Sequence, residues 1–341
     1  MTGRRATGDL WFRAQSGGRG FERQMAHPRQ SADVYRRRRL VALGVIGAVA
    51  AIGGAAVGAG DRSEGDAPSP GKNAHGPKRP LAELPLGGRR IFPRYRVVAY
   101  YGAPQSHQLG ALGIGSPDRA ARRLATQAAP YAKKTRPVML AFELLADVAN
   151  HDPGRDGLYR TRQPPSVIRR YLAAARRAKA LLLLDIQPGH ADFLTETRHL
   201  DRWLREPDVG LALDPEWHTP GAVPGTVIGS VDAGTVNAVA RHVAAIVRKY
   251  QLPEKLFVVH QFTPNMIGGK ASVEQPPGLA VTMNVDGFGD RPNKIAKYRL
   301  FTHDGTHFRR GYKLFYAEDT DLMTPGSVLA LQPRPDFIVY E

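Results

Sequence analysis

The chain has 341 residues, of which 42% are hydrophobic, with 27 prolines and no cysteine. This composition indicates a globular protein rich in loops, and the lack of cysteine excludes disulfides, thiolate metal sites, a cysteine nucleophile and lipoprotein acylation. The formal net charge is +17, but residues 1–39 alone contribute +7 through ten arginines and three acidic residues. No recognition motif or alternation of basic and aromatic residues accompanies this charge, so we expect no nucleic-acid partner.

An apolar segment, residues 40–60, carries no charged residue and directly follows four arginines, Arg36 to Arg39. About 20 apolar residues cross a bilayer as a helix, and a flanking arginine block favours a cytoplasmic N-terminus. We therefore expect a transmembrane helix that acts as a signal anchor, giving a single-pass protein of the cell membrane with its C-terminal part outside. Val57-Gly58-Ala59 resembles a signal cleavage site, so a secreted protein is the alternative.

Composition divides the chain into four parts. We predict a disordered basic cytoplasmic tail over residues 1–39, the membrane segment over 40–60, a Pro/Gly-rich linker over 61–95 and one folded domain over 96–341. The linker contains too little apolar surface to fold by itself.

The folded domain alternates apolar runs of strand length with amphipathic segments of helix length, which is typical of βαβ units. The strand candidates are residues 97–101, 137–143, 181–187, 210–214, 256–261, 279–286, 312–316 and 337–340. The helix candidates are residues 119–133, 166–180, 191–205 and 235–250. Eight parallel strands close a (β/α)8 TIM-type barrel of the α/β class. An open doubly wound sheet is the rival fold, but no G-x-G-x-x-G follows the first strand, and we expect no cofactor.

Acidic residues end several of these strands. Asp185, Asp214 and Asp286 each close an apolar run, and the carboxyl ends of parallel strands are where α/β folds build active sites. Side chains alternate along a strand, so Asp214 shares the inward parity of the small residues Gly210 and Ala212. Glu216 shares that parity too if extended geometry continues through Pro215.

Paired carboxyl groups predict glycoside hydrolysis, in which one protonated acid donates to the leaving oxygen and a second carboxylate serves as base or nucleophile. We predict Glu216 as general acid with Asp286 or Asp185 as its partner, and Asp214 as a further catalytic acid. The predicted substrate-binding residues share polar or aromatic side chains at the strand ends; they are Glu143, Gln187, Trp217, His260, Gln261, Asn284 and Tyr101.

Four segments carry a resemblance to known proteins: Leu184-Asp185-Ile186-Gln187-Pro188-Gly189, Leu211-Ala212-Leu213-Asp214-Pro215-Glu216-Trp217, Ile228-Gly229-Ser230-Val231-Asp232 and Val259-His260-Gln261-Phe262. Over roughly residues 96–341 the chain resembles a group of uncharacterised exported bacterial proteins that look like glycoside-hydrolase TIM barrels. The resemblance implies a barrel, export and action on a cell-envelope or extracellular polysaccharide or other glycan. It supplies no established catalytic residues.

Two alternatives to a glycoside hydrolase stay open. The first is an inert barrel that binds carbohydrate or acts as a scaffold, because fold does not determine function. The second is a metal-dependent hydrolase with ligands among Asp185, Asp214, His260 and Asp286. The sequence contains no H-x-H or H-E-x-x-H spacing, so we predict no metal ligands. For any single strand-end acid, a helix cap or loop-fixing role is the structural alternative.

Overall fold

A computed structural model describes residues 80–341 of the chain. The predictions for the basic tail, the membrane segment and most of the linker lie outside the described residues. Within residues 80–341, no helix combines the length and the apolar character needed to cross a membrane.

Eight parallel strands form a closed barrel, as the sequence predicts. In chain order the strands are β1 Arg96–Gly102, β2 Val138–Ala149, β3 Arg160–Arg162, β4 Leu181–Ile186, β5 Val209–Leu213, β6 Val231–Asp232, β7 Lys255–Gln261, β8 Ile267–Gly268, β9 Leu279–Val285, β10 Arg309–Leu314 and β11 Phe337–Tyr340. Around the barrel the order is β1, β2, β4, β5, β7, β9, β10 and β11, and β11 pairs with β1 to close it. The short β3 is antiparallel to the end of β2, and β6 pairs with β8 outside the barrel.

Helices surround this barrel. They are α1 Pro117–Ala128, α2 Pro165–Arg177, α3 Phe193–His199, α4 Asp201–Leu204, α5 Ala233–Lys249, α6 Arg291–Thr302 and α7 Pro325–Leu329. The single helix predicted over residues 191–205 is divided in two, α3 and α4. Between β7 and β9 the described chain forms only short 3-10 turns and β8 instead of an α-helix. The other strand-to-strand connections around the barrel carry at least one helix each.

Local sequence explains where the long helices begin. Ser116 accepts a hydrogen bond from the backbone N–H of Arg119, and Pro117 occupies the first turn of α1, where a missing N–H costs nothing. Asp192 and Asp232 likewise accept from backbone N–H groups at the starts of α3 and α5. Both aspartates therefore cap helices.

Two groups of apolar side chains form the core. One lies between the strands and the helices, and includes the buried face of α5 at Val236, Val239 and Val243. The other fills the barrel interior with small and branched side chains such as Ala99, Ala141, Leu183, Ala212, Val258 and Ala280. Small side chains at these inward positions match the narrow space inside an eight-stranded barrel.

The amino-terminal end of the barrel is covered by a segment that composition assigned to the linker. Leu84, Ile91, Phe92 and Tyr95 are all buried and belong to the same apolar group as the barrel interior. The carboxylate of Glu254, just before β7, accepts a hydrogen bond of 2.6 Å from the backbone N–H of Ile91. The packed part of the chain therefore begins near Leu84 rather than at Arg96.

Candidate active site at the carboxyl end of the barrel

Polar side chains replace apolar ones at the carboxyl end of the barrel interior. We call these residues the lumen cluster; they are Tyr101, Glu143, Asp185, Asp214, His260, Asn284, Asp286 and Lys313, and every one is buried. They share the inward parity of the interior apolar residues before them, because Asp185 follows Leu183, Asp214 follows Ala212 and His260 follows Val258 at intervals of two.

His260 stands between two sets of carboxylates. Its Nδ1 lies 3.0 Å from Asp286 Oδ2, and its Nε2 lies 3.1 Å from Glu143 Oε1 and 3.4 Å from Asp185 Oδ2. Burial alone lowers the pKa of His260, but the charge of Glu143 and contacts with Asp185 and Asp286 outweigh burial, so that the pKa is raised well above its ordinary value. His260 is thus fixed in position and polarised by acids on both sides.

The amide of Asn284 also contacts this histidine, with its Nδ2 3.2 Å from His260 Nδ1. Asn284 has room because its neighbour on β10 is Gly311. A Cβ atom on Gly311 would lie 2.5 Å from Asn284 Oδ1 and 2.9 Å from Asn284 Cα. The glycine is therefore required by a close approach between adjacent strands.

Lys313 supplies a positive charge to the cluster. Its ammonium lies 3.0 Å from Asp286 Oδ2, 2.8 Å from Glu341 Oε2 and 3.7 Å from the centre of the Tyr101 ring. The backbone N–H of Gly287 donates to Asp286 Oδ1 at 2.6 Å. Both oxygens of Asp286 are thus engaged by donors that stabilise its ionised form.

Asp214 occupies a different environment. The hydroxyl of Tyr101 donates to Asp214 Oδ2 at 3.1 Å, and Gln187 Nε2 donates to the same hydroxyl at 2.8 Å. Burial raises the pKa of Asp214 to about 7, and the charge of Asp185 adds to the rise while His260 and Lys313 oppose it. Asp214 therefore exchanges a proton near neutral pH, which suits a general acid or base.

Several carboxylate oxygens of the cluster are buried without a hydrogen-bond partner. They are Glu143 Oε2, both oxygens of Asp185 and Asp214 Oδ1. Glu143, Asp185 and His260 each present a ligand atom, and these three atoms lie within 4.8 Å of one another, so the three residues could hold a metal ion.

The structure brings most of the sequence-predicted site residues together. Glu143, Asp185, Asp214, His260, Asn284, Asp286 and Tyr101 belong to the lumen cluster, and Gln187 contacts it through Tyr101. His260 is both a hydrogen-bonded interior histidine and a neighbour of the acids.

Three other predicted residues are not among those named as the lumen cluster. The extended geometry required for Glu216 does not continue, because β5 ends at Leu213 and Pro215–Trp217 forms a 3-10 turn. Glu216 is buried and adds to the negative charge around Lys297, while Trp217 is half-buried on the same turn. Gln261 has the opposite parity from His260 and donates to the backbone oxygen of Thr263 at 3.3 Å, which fixes the following loop.

Sequence reasoning missed Lys313 and Glu341. The signal was available for both, since Lys313 shares the parity of Gly311, and Glu341 follows the inward Val339 at the end of β11. The sequence analysis selected acidic residues at strand ends. The same search would have selected Lys313 and Glu341 if it had included cations and the last strand.

Comparisons with known proteins give little further guidance. No protein-family model matches the sequence, and no curated protein matches it. Among solved structures, the chain is similar to a wild-type sialic acid aldolase from Ruminococcus gnavus, with 10% sequence identity and a TM-score of 0.35 over 72% of this chain and 68% of that chain. The strand pairing, rather than this distant similarity, identifies the fold as a TIM-type barrel.

Proposed function

We propose that the barrel hydrolyses glycosidic bonds in a cell-envelope or extracellular glycan, with Asp214 as general acid in place of Glu216. The observation that carries this proposal is the contrast between two acids of one cluster. Burial raises the pKa of Asp214 to about 7, whereas Asp286 is engaged by Lys313 and a backbone N–H. Two carboxyl groups held in opposite protonation states are what glycoside hydrolysis needs.

The two carboxyl oxygens of Asp214 have different contacts and therefore different proposed roles. Tyr101 donates to Oδ2, so the acidic proton belongs on Oδ1, which has no hydrogen-bond partner. This proton would pass to the leaving oxygen as the glycosidic bond breaks. Asp286 or Asp185 would act from the other side as the ionised partner, and Gln187 would keep the Tyr101 hydroxyl directed at Asp214.

The burial of the cluster limits which substrates can reach its acids. Glu143, Asp185, Asp214 and Asp286 are each at most 3% exposed, so a glycan must enter the barrel mouth rather than lie across it. This favours a terminal sugar or a short glycan over the middle of a long polysaccharide.

The same burial favours a second candidate, the inert carbohydrate-binding or scaffolding barrel. Buried carboxylates that only support the fold would show the same low exposure, and one assay separates the two candidates.

The test is hydrolysis of aryl glycosides and glycan oligomers by the full chain and by its Asp214→Asn variant. Removing an acid/base group lowers the rate by a factor of about 100 or more. The matched control is Asp147→Asn, which changes another buried acid on the outer side of β2 and should retain the wild-type rate. A rate within threefold of wild type in Asp214→Asn would reject Asp214 as the acid. Glycan binding without any cleavage by the wild type would favour the inert barrel.

We also propose that residues 40–60 anchor the protein as a single-pass membrane helix, with the arginine block inside and the barrel outside. The supporting features are the uncharged segment of 21 residues and the four preceding arginines. Protease added to intact cells should then digest the barrel and leave the N-terminal tail protected. Release of the barrel into the medium would instead indicate cleavage of the segment, and protection of the barrel would contradict export.

A further inference from the structure

We propose that Glu143, Asp185 and His260 bind a divalent transition-metal ion at the base of the lumen cluster. This site does not depend on the role of Asp214, and it goes beyond carboxylate chemistry. Four observations carry it: the distances between the three residues, the orientation of the imidazole, the unpaired oxygens and the balance of charge.

The distances fit coordination around one ion. His260 Nε2 lies 3.1 Å from Glu143 Oε1 and 3.4 Å from Asp185 Oδ2. Ligand atoms about 2.0–2.2 Å from one metal ion lie about 3.0–3.5 Å apart when they are neighbours in tetrahedral or octahedral geometry. All three side chains extend from neighbouring parts of a rigid closed sheet, on β2, β4 and β7.

The imidazole is oriented as in known metal sites. Metal-binding histidines almost always donate their second ring N–H to a carboxylate, carbonyl or water. Asp286 Oδ2, 3.0 Å from His260 Nδ1, is placed to accept that hydrogen. With the proton on Nδ1, an arrangement that requires the Asn284 amide to turn its oxygen toward this nitrogen, the lone pair of Nε2 faces Glu143 and Asp185.

The oxygens without a hydrogen-bond partner belong to two of the three residues. Neither oxygen of Asp185 has a hydrogen-bond partner, nor has Glu143 Oε2, and both side chains are fully buried. A buried carboxylate oxygen without a hydrogen-bond donor is costly, and buried carboxylates are kept when they are paired or coordinate a metal.

Two carboxyl groups lie beside His260 Nε2. Lys313 contacts both Asp286 and Glu341, and the carboxylates within 3.4 Å of His260 Nε2 are those of Glu143 and Asp185. A protonated His260 would compensate only one of them. A divalent ion beside a neutral imidazole compensates both.

The ligand set also indicates the class of ion. Carboxylates suit manganese and imidazole suits zinc, whereas calcium and magnesium prefer oxygen ligands alone. Three protein ligands leave at least one coordination position for water or substrate. The ion would thus lie within the cluster that contains Asp214.

The experiment measures binding rather than activity. The purified full chain is stripped with chelator, dialysed against Mn²⁺ or Zn²⁺, and its metal content and melting temperature are measured. We expect about one ion per chain, an increase in melting temperature, and a Mn²⁺ electron paramagnetic resonance signal that differs from that of the aquo ion. The isosteric Asp185→Asn and Glu143→Gln variants should lose the ion.

Two further variants make the assignment specific. Asp286→Asn replaces the charged acceptor of the Nδ1 hydrogen with a neutral amide and should weaken metal affinity by about 10–100-fold without abolishing it. Asp147→Asn changes a buried acid outside the triad, on the outer side of β2, and should bind as the wild type does. If a triad variant does not fold, the wild-type stoichiometry and resonance signal decide the question.

Three outcomes would overturn the proposal. No ion retained by the folded wild type would leave a protonated His260 as the partner of Glu143 and Asp185. Full retention by folded Asp185→Asn and Glu143→Gln would locate the ion elsewhere in the chain. A resonance signal of the aquo ion alone would mean no ordered site. Loss of hydrolysis by Asp214→Asn tests the glycosidase proposal separately, so either proposal can fail without the other.

Discussion

Replacing Lys294 by methionine should strongly destabilise the carboxyl end of the barrel. Lys294 lies on α6, and its buried ammonium donates to Gly287 O and Lys313 O at 3.0 Å each and to both oxygens of Asp319 at 2.7–2.8 Å. One cation therefore connects the loop after β9, strand β10 and the loop after β10. Methionine has a similar length but no charge and no donor.

The size of this stability loss depends on the hydrogen bonds that Asp319 keeps. Breaking a buried ion pair by removing one partner costs about 3–5 kcal/mol. Asp319 still accepts from the backbone N–H groups of Phe315 and Gly289, at 3.0 and 3.2 Å, so we expect the lower end of that range. For a domain of this size, a loss of about 3 kcal/mol lowers the melting temperature by about 6–12 °C.

Acid pH should reduce the loss of stability that Lys294→Met causes. Burial raises the pKa of Asp319, and Lys294 counteracts this rise. Without Lys294 the folded-state pKa rises further above the unfolded value, so the folded variant holds its proton more tightly than the unfolded chain does. The stability of Lys294→Met relative to wild type is then greatest at low pH, and it falls as pH rises from about 4 through the raised pKa of Asp319.

Urea denaturation at pH 4.5 and pH 7 measures both effects, with Lys249→Met at the exposed end of α5 as the control. The Lys294→Met/Asp319→Asn double variant should recover part of the loss, because no unpaired charge remains. A loss below 1 kcal/mol at pH 7, or a single variant as stable as the double variant, would refute the reasoning.

Two further predictions concern other parts of the barrel. Burial lowers the pKa of Lys255 to about 7, so the folded chain binds fewer protons than the unfolded chain between pH 7 and 10. Lys255 should therefore increase the free energy of unfolding as pH rises, by up to about 1.4 kcal/mol per pH unit. Lys255→Met should flatten the slope of the free energy of unfolding, measured in urea, against pH. An unchanged slope would contradict the lowered pKa. Gly311→Ala places a Cβ atom 2.9 Å from Asn284 Cα and should cost about 1–3 kcal/mol by overpacking. Gly326→Ala on α7, where the nearest atom is 3.9 Å away, is its control in the same denaturation assay, and equal stability of the two variants would contradict the close approach.

The sequence predicted the barrel because strand and helix periods alternate clearly from Arg96 onward. It also predicted the inward direction of Asp214, since the small residues Gly210 and Ala212 on the same strand share its parity. The extended geometry expected at Glu216 was wrong, because Pro215 begins a tight turn and ends the alternation. Lys313 was missed because a lysine between apolar strand residues suggests exposure to solvent rather than a buried ion pair.

The contacts between site residues could not be predicted. Glu143 and His260 are 117 positions apart in sequence, and their contact depends on the stagger of strands around the closed barrel. Neither alternation nor strand-end position specifies that stagger. The same holds for Tyr101 and Asp214, which are 113 positions apart.

The pairing of β1 with β11 has a consequence for biosynthesis. Val97 pairs with Phe337, so the sheet keeps an open edge on β1, the first barrel strand, until β11, the last one, has been synthesised. Until then, β1 and β10 each present unpaired backbone groups that can recruit strands from other chains. Lys313 on β10 contacts Tyr101 on β1, so the two halves of the cluster meet only when the ring closes. A nascent chain that lacks β11 therefore has an open sheet and an incomplete cluster, and its exposed strand edges make it prone to aggregate.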